Sequence, residues 1–512
     1  MNRTAVNAVI MVLTTILAKL LGFARELSLA FSYGAGSVSD AYVVAFSLPT
    51  ILFSGIGTAM LTSYISVYTD LQANRPGEEK KFHNHVITMS FCLSVLFIAA
   101  FLLLRYPVIR LFALGFEGEQ LELTVNLATI MILSLLFLGV GYILQGYLQM
   151  KGRFFAVGMV SVPLNIAVIA TILTAGNNHA LLGWGVVIGY AAQTVMVLLV
   201  AKRNRFHYHP ELDFRSENVK RFLLMVLPIF LGKAINSINN LIDKTIASLL
   251  SPGVVSVMNY GNRITGFVTS VFVVAITTAL FPQMSRLSAI SDTHHLKKTY
   301  ITSSGVISLF VIPVSAGLMM FSREFVSLLF ERGAFTAYDV ERTGEVVFFY
   351  SLGLLFFSLK EVTINVFYAL QDARTPTINS LIAIGLNIGL NLLLMQKMEY
   401  RGLALATSIS GFITFVMLLI SLRKKMGRLG YRKLLVSLIK MTLAAGIMTA
   451  GTLPAYDFLF DRLGSMPGAL ILSVLIGAVI YFLACTLLRV KEFGMVVVAV
   501  FDRFRKKPKA AE

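Results

Sequence analysis

The sequence predicts an all-α polytopic membrane protein, and three observations carry that prediction. Of the 512 residues 56% are hydrophobic and only 14% charged, with a mean hydropathy of +0.77, so a water-soluble fold would have too little polar surface to cover itself. Apolar runs such as 86–104, 155–174, 301–321 and 470–488 each reach the roughly 20 helical residues that cross a hydrocarbon core of about 30 Å. Lys and Arg, finally, gather between such runs rather than inside them. The runs must be helices, because lipid leaves no partner for an open backbone.

Taken in order, the pattern gives about fourteen transmembrane helices, near 5–31, 38–68, 84–104, 122–149, 154–175, 181–201, 221–250, 254–284, 300–321, 341–369, 376–396, 400–422, 433–453 and 467–488. The first apolar stretch has no small-residue cleavage site and runs on through Lys19 and Arg25, so it reads as a retained helix rather than a signal peptide. Every second loop is basic. Arg75, Lys80 and Lys81, then Lys151 and Arg153, then Lys202 to Arg221, and finally the cluster from Arg423 to Lys433 fall on one side, which the positive-inside rule makes cytoplasmic, with both termini. The net charge of +18 is thereby explained by topology, not by nucleic acid. Cys92 and Cys485 lie inside apolar segments without metal-ligand spacing and read as packing residues. The basic residues Arg503, Arg505, Lys506, Lys507 and Lys509 read first as a stop-transfer flank, with contact to anionic headgroups as the alternative.

Sliding the chain against itself by 222 residues aligns Leu148-Gln149 with Leu370-Gln371 and Leu164-Asn165-Ile166 with Leu386-Asn387-Ile388. Two six-helix lobes follow, 1–205 and 218–425, as parallel repeats, then two helices over 433–488 and a basic tail over 489–512. A seam between duplicated lobes is a natural substrate path with alternating access.

Ionised residues mark that path. The first helix holds Lys19, Arg25 and Glu26, and the second opens with Asp40; an ion at bilayer depth costs about 2.5–3.5 kcal/mol even on lenient scales. Lys233, Asp243, Lys244 and Arg263 repeat the pattern in the second lobe. Asp40 and the Asp243-Lys244 pair are either structural ion pairs or ligand contacts. Too few carboxylates lie near Lys19, Arg25 and Arg263 to neutralise them all, and an excess of cations suits an anionic substrate such as a phosphate. Asn387 and Asn391, four apart on one helix face, either hydrogen-bond between helices or join Asp243 around a small hard cation such as sodium. Asn236, Asn239 and Asn240 add amide carbonyls on the Asp243 helix. Pro49, Pro163, Pro228, Pro282, Pro313 and Pro376 read as bends or helix starts, and Ser39-Asp40 and Ser251-Pro252 as caps.

No GxxxxGK[ST] loop, HExxH, CxxC or large polar loop with paired acids is present, so ATP hydrolysis by a phosphate loop, zinc chemistry and loop-borne catalysis are not indicated. The chain does not read as an enzyme, and a membrane glycosyltransferase or ligase would need catalytic acids on long loops.

Leu20-Leu-Gly-Phe-Ala-Arg25-Glu26, Gly34-Ala-Gly36 and Ser39-Asp40-Ala41 resemble the start of the MurJ (MviN) lipid II flippase family. The resemblance continues through Tyr260-Gly-Asn-Arg263, Leu280-Phe-Pro282, Leu329-Phe-Glu-Arg-Gly-Ala-Phe335 and Phe367-Tyr-Ala-Leu-Gln-Asp-Ala-Arg-Thr-Pro376. It implies the multidrug/oligosaccharidyl-lipid/polysaccharide exporter fold, with two lobes in a V around a cationic cavity, in the bacterial cytoplasmic membrane. It further implies a lipid-linked oligosaccharide as substrate, lipid II first, and the cell-wall synthesis machinery as a partner. Lys19, Arg25 and Arg263 resemble the family's cations for pyrophosphate, Asp40 its characteristic acid, and Asp243, Asn387, Asn391, the Leu403 carbonyl and Thr407 its sodium site. Two positions depart: Phe53 stands where an arginine is common and Thr58 where a glutamate is. That departure admits a capsule, exopolysaccharide or O-antigen unit as substrate, and the shared fold admits a cation-coupled drug exporter.

Overall fold

The computed structural model describes residues 3–213, 215–270 and 275–505, and among them there are helices and turns but no strand. In chain order the helices are α1 (Arg3–Tyr33), α2 (Ser37–Asn74), α3 (Glu78–Phe112), α4 (Gly118–Met131), α5 (Leu135–Met150), α6 (Phe154–Gly158), α7 (Val162–Ala175), α8 (Ala180–Arg203) and α9 (Glu217–Ala247). There follow α10 (Val254–Thr269), α11 (Ala275–Ala289), α12 (Thr293–Met320), α13 (Ser322–Phe330), α14 (Ala337–Ala369), α15 (Arg374–Met426), α16 (Tyr431–Leu463), α17 (Met466–Leu487) and α18 (Lys491–Arg505). Ten helical runs among the described residues are long and apolar enough to cross a membrane. Side chains such as Leu103 and Leu487, 83% and 82% exposed, have lipid as their only favourable solvent.

The predicted segments all fall on these helices, with some differences: those expected over 122–149 and 154–175 are each broken, into α4 and α5 and into α6 and α7. The helix expected over 254–284 is described as α10 and α11, and residues 271–274 between them lie outside the described residues. The segments expected at 376–396 and 400–422 are the two arms of α15. The short helix α13 and the amphipathic α18 fall where the pattern gives a loop and a tail, because neither has a span-length apolar run.

The chain forms two compact units, 1–256 with 332–336, and 257–331 with 337–512. In the first, α2 is the hub, packing on α4, α5 and α9. The sequence repeat puts α9 at the head of the second lobe, yet it packs along α2. Its Phe222 completes an aromatic core in which Tyr64 stacks on Phe82 at 5.8 Å and Phe82 meets Phe222 edge-on at 5.9 Å. The segment 332–336 joins this unit through the Ala334 N–H, which donates to the Phe31 carbonyl at 2.8 Å. That bond satisfies one of the last carbonyls of α1.

In the second unit α12 and α14 pack side by side, α15 packs on α14, and α16 with α17 forms a hairpin whose α16 lies on α12. The chain reverses within α15 at Glu399, a non-glycine residue at φ 50° and ψ −130°. Gly402 then lies so close to the other arm that an added Cβ would stand 2.5 Å from the Leu394 carbonyl oxygen. Where α14 turns into α15, Asp372 accepts from the Thr375 N–H at 3.0 Å, the Thr375 hydroxyl at 2.8 Å and Lys425 Nζ at 2.6 Å. Burial works to raise the Asp372 carboxyl, but the bonds from Lys425 and Thr375 prevail and hold it at about 2. The Gln-Asp-Ala-Arg-Thr-Pro stretch is thus a helix cap clamped from the far end of α15.

Gly333 sits at φ +64°, and a Cβ there would stand 2.3 Å from the Phe31 carbonyl oxygen. Gly333→Ala adds left-handed strain to a backbone clash, so thermal unfolding of the detergent-solubilised chain should show a loss of about 2 kcal/mol or more. An unchanged midpoint would contradict this packing.

Candidate charge sites on α1, α2 and α15

Arg25 and Glu26 are neighbours on α1 and both are buried. The Arg25 guanidinium donates to Glu26 Oε1 at 2.8 Å and lies over the Phe46 ring of α2, 4.4 Å from its centroid. An arginine suits this place because its flat, weakly hydrated head can pair with a carboxylate and stack on a ring at once. The cation expected to face a ligand is therefore largely compensated inside the protein. Lys19, six residues earlier on the same helix, is exposed.

Asp40 lies in the first turn of α2, 1% exposed. Its carboxylate accepts from the Gly253 N–H at 2.6 Å, the Ser256 N–H at 2.7 Å and the Ser256 hydroxyl at 2.5 Å. Those amides belong to the start of α10, whose first N–H groups have no partner within their own helix. A buried carboxylate answers both the missing acceptors and the positive end of the helix dipole. Asp40 thus caps a helix more than two hundred residues away, whereas its neighbour Ser39 bonds locally, donating to the Gly34 carbonyl at 2.7 Å.

The positions that depart from the family pattern differ in surroundings. Phe53 is fully buried, edge-on to Phe97 at 6.5 Å and against Gly139. Thr58 is half-buried, and its carbonyl accepts from the Thr62 hydroxyl at 2.9 Å. Phe53, where the family resemblance leads one to expect a cation, is part of the packed core.

The expected sodium ligands fall in both units. Asp243 is half-buried on α9 in the first unit; Arg263 is exposed on α10 in the second. The side chains of Lys233 and Asn236 lie outside the described residues. In α15, Asn387 and Asn391 are buried, and Asn391 Nδ2 donates to Asn387 Oδ1 at 3.0 Å. The Thr407 hydroxyl donates to the Leu403 carbonyl at 3.0 Å. The arms of α15 run antiparallel, with the Ser410 hydroxyl donating to the Ala383 carbonyl at 3.2 Å and Asn379 Nδ2 to the Ser421 hydroxyl at 3.4 Å. That register places Asn387 and Asn391 at the level of Leu403 and Thr407. Oxygen-bearing groups at one level could serve a hard monovalent cation: the Asn387 amide oxygen keeps a second lone pair, whereas the Leu403 carbonyl would have to give up the Thr407 hydroxyl to bind one.

Sequence reasoning missed Phe46 beneath Arg25 and the donors around Asp40. Ser251-Pro252 signals a helix start, but nothing in the sequence says which acid serves it.

The chain as a whole is similar to known proteins. A family model described as "Lipid II flippase MurJ" matches residues 29–462. The chain is 28% identical over 481 residues to a probable lipid II flippase MurJ of Thermotoga maritima, covering 94% of this chain and 96% of that protein. It is 30% identical over 467 residues to the probable lipid II flippase MurJ of Rhizobium meliloti, covering 88% and 86%. Among solved structures, a lipid II flippase MurJ in an inward closed conformation superposes with a TM-score of 0.80 at 23% identity, covering 94% of this chain and 98% of that one. An inward-facing multidrug resistance MATE family transporter of the MOP superfamily gives 0.67 at 16% identity, over 82% and 98%. At those identities the two structures share the fold.

Asp40→Asn keeps the shape but turns an amide N–H toward amide donors. Thermal unfolding without any lipid ligand should show a loss of about 1–3 kcal/mol. A full-stability Asn variant would mean that the cap is dispensable.

Proposed function

We propose, since this chain belongs to the lipid II flippase MurJ family, that it carries undecaprenyl-pyrophosphate-linked peptidoglycan precursor, lipid II, from the inner to the outer leaflet of the bacterial cytoplasmic membrane. It is a multi-pass membrane transporter and not an enzyme. The observation that carries the reading is the family match across most of the chain, and the cationic character of α1 agrees with it. Both termini lie in the cytoplasm, a placement that the distribution of basic residues among the loops supports.

Translocation needs a polar, phosphate-binding path and two alternating access states. Lys19 supplies an ammonium for the pyrophosphate, and Arg263 takes the same role. Arg25, held by Glu26 and Phe46, contributes direction and field more than a free charge until its partner is displaced. Asp40 shapes the start of α10. Sodium is the coupling ion, taken by Asn387, Asn391, the Leu403 carbonyl and Thr407. An ion that prefers one access state shifts the populations by its differential affinity and nothing more. The cell-wall synthesis machinery is the partner that consumes the flipped precursor.

A second reading has one observation in its favour. Phe53 removes a cation where the family commonly has one, which fits a different lipid-linked oligosaccharide with the same pyrophosphate.

Lys19→Ala removes an exposed cation, whereas Arg25→Ala takes the guanidinium away from the buried Glu26 carboxylate and costs about 3–5 kcal/mol on its own. Translocation by the Lys19 variant in lipid vesicles should fall at least roughly tenfold, a loss of about 1.4 kcal/mol of interaction, with unchanged unfolding temperature. Equal rates would remove Lys19 from the path. Sodium should raise the unfolding temperature of the wild-type chain more than potassium does, and Asn391→Ala should abolish that difference; a sodium effect that survives the substitution would place the ion elsewhere.

A further inference from the structure

We propose that α18 is an interfacial helix that binds anionic phospholipid of the cytoplasmic leaflet, using its outward apolar face and the basic residues of its last turn and of the sequence just after it. The orientation rests on the cytoplasmic placement of the termini given above, but the binding does not depend on what the chain transports.

Placement comes first. The membrane-crossing helix α17 ends at Leu487, and Arg489 at φ 53° turns the chain, with the Val490 N–H donating back to the Cys485 carbonyl at 2.9 Å. Such a left-handed turn closes a helix and redirects the backbone at once. Because α18 starts at Lys491, it begins at the level where lipid chains give way to headgroups.

One face is then fixed on the protein. Val490, Phe493 and Val496 pack with Leu309, Met441 and Cys485, and the Phe493 ring stacks on Phe482 at 5.4 Å and 21°. The same helix turns Met495 and Val498 outward, 45% and 58% exposed. They are three residues apart and so share a face. At an interface those side chains are best solvated by acyl chains just below the headgroups.

Charge selects the kind of lipid. Arg503, Arg505, Lys506, Lys507 and Lys509 are five basic residues within seven positions, with Asp502 the acid just before them. Clustered basic residues beside an amphipathic helix at the inner surface draw anionic headgroups, and each adds to the attraction within a Debye length. The stop-transfer reading of these residues accounts for their sign but not for the apolar face that precedes them.

The chain has a single tryptophan, Trp184, so Val498→Trp in a Trp184→Phe background gives one reporter on α18. The full-length protein is reconstituted in phosphatidylcholine vesicles with and without phosphatidylglycerol, and brominated phosphatidylcholine quenches an immersed indole. Quenching should be about two-fold stronger with phosphatidylglycerol, and high salt should remove the gain. Replacing the five basic residues by Gln should also remove it, with no change in unfolding temperature. A water-like emission in both vesicle types would overturn the proposal. So would quenching indifferent to phosphatidylglycerol and to the tail, or an indole shielded equally from lipid and from an aqueous quencher, which would give this face to a protein partner or a second copy.

Discussion

An ion held among helices whose outer surfaces meet lipid must find its compensation inside the protein, because burying an unpaired carboxylate or guanidinium costs several kcal/mol. The first unit meets that constraint in two ways. Arg25 is answered by a charge and a ring, Glu26 and Phe46. Asp40 is answered by the amides and hydroxyl at the start of α10. These arrangements fix the C-terminal half of α1, the entry of α2 and the first turn of α10 relative to one another within that unit, and the capping of α1 by the Ala334 amide extends the same logic.

Compensation also sorts the charged residues by task. A side chain whose partners are built in is positioned by them and in turn positions its helix, whereas an exposed one is available to a ligand. Arg25 and Asp40 belong mainly to the first kind; Lys19 belongs to the second. Phe53, packed beside Phe97, contributes to the core and not to the charge of the first unit. In the second unit, the hairpin of α15 does for neutral oxygens what α1 and α2 do for ions, bringing two asparagines, a carbonyl and a hydroxyl to one level.

Much of this was legible in the sequence. Span-length apolar runs located nearly every long helix, since helix is the only open-ended structure lipid permits. The charges of α1 and α2 stood out because ions are costly there, and Asn387 and Asn391 because their spacing shares a face. What stayed hidden depends on tertiary contact. Glu26 beside Arg25 could pair with it or point away, and the sequence alone favours neither. Asp40 as a cap for α10 needs residues 40 and 256 brought together, and α18 lacks the length that marks a span. The repeat placed α9 by descent, while packing on α2 placed it by contact, and these answer different questions.

The most direct test of the account is replacement of a bacterium's own lipid II flippase. When that protein is depleted and this chain is expressed in its place, lipid II accessible at the outer face of the cytoplasmic membrane should return to the undepleted level and growth should resume. A well-expressed, membrane-inserted chain that leaves lipid II confined to the inner leaflet would contradict the account.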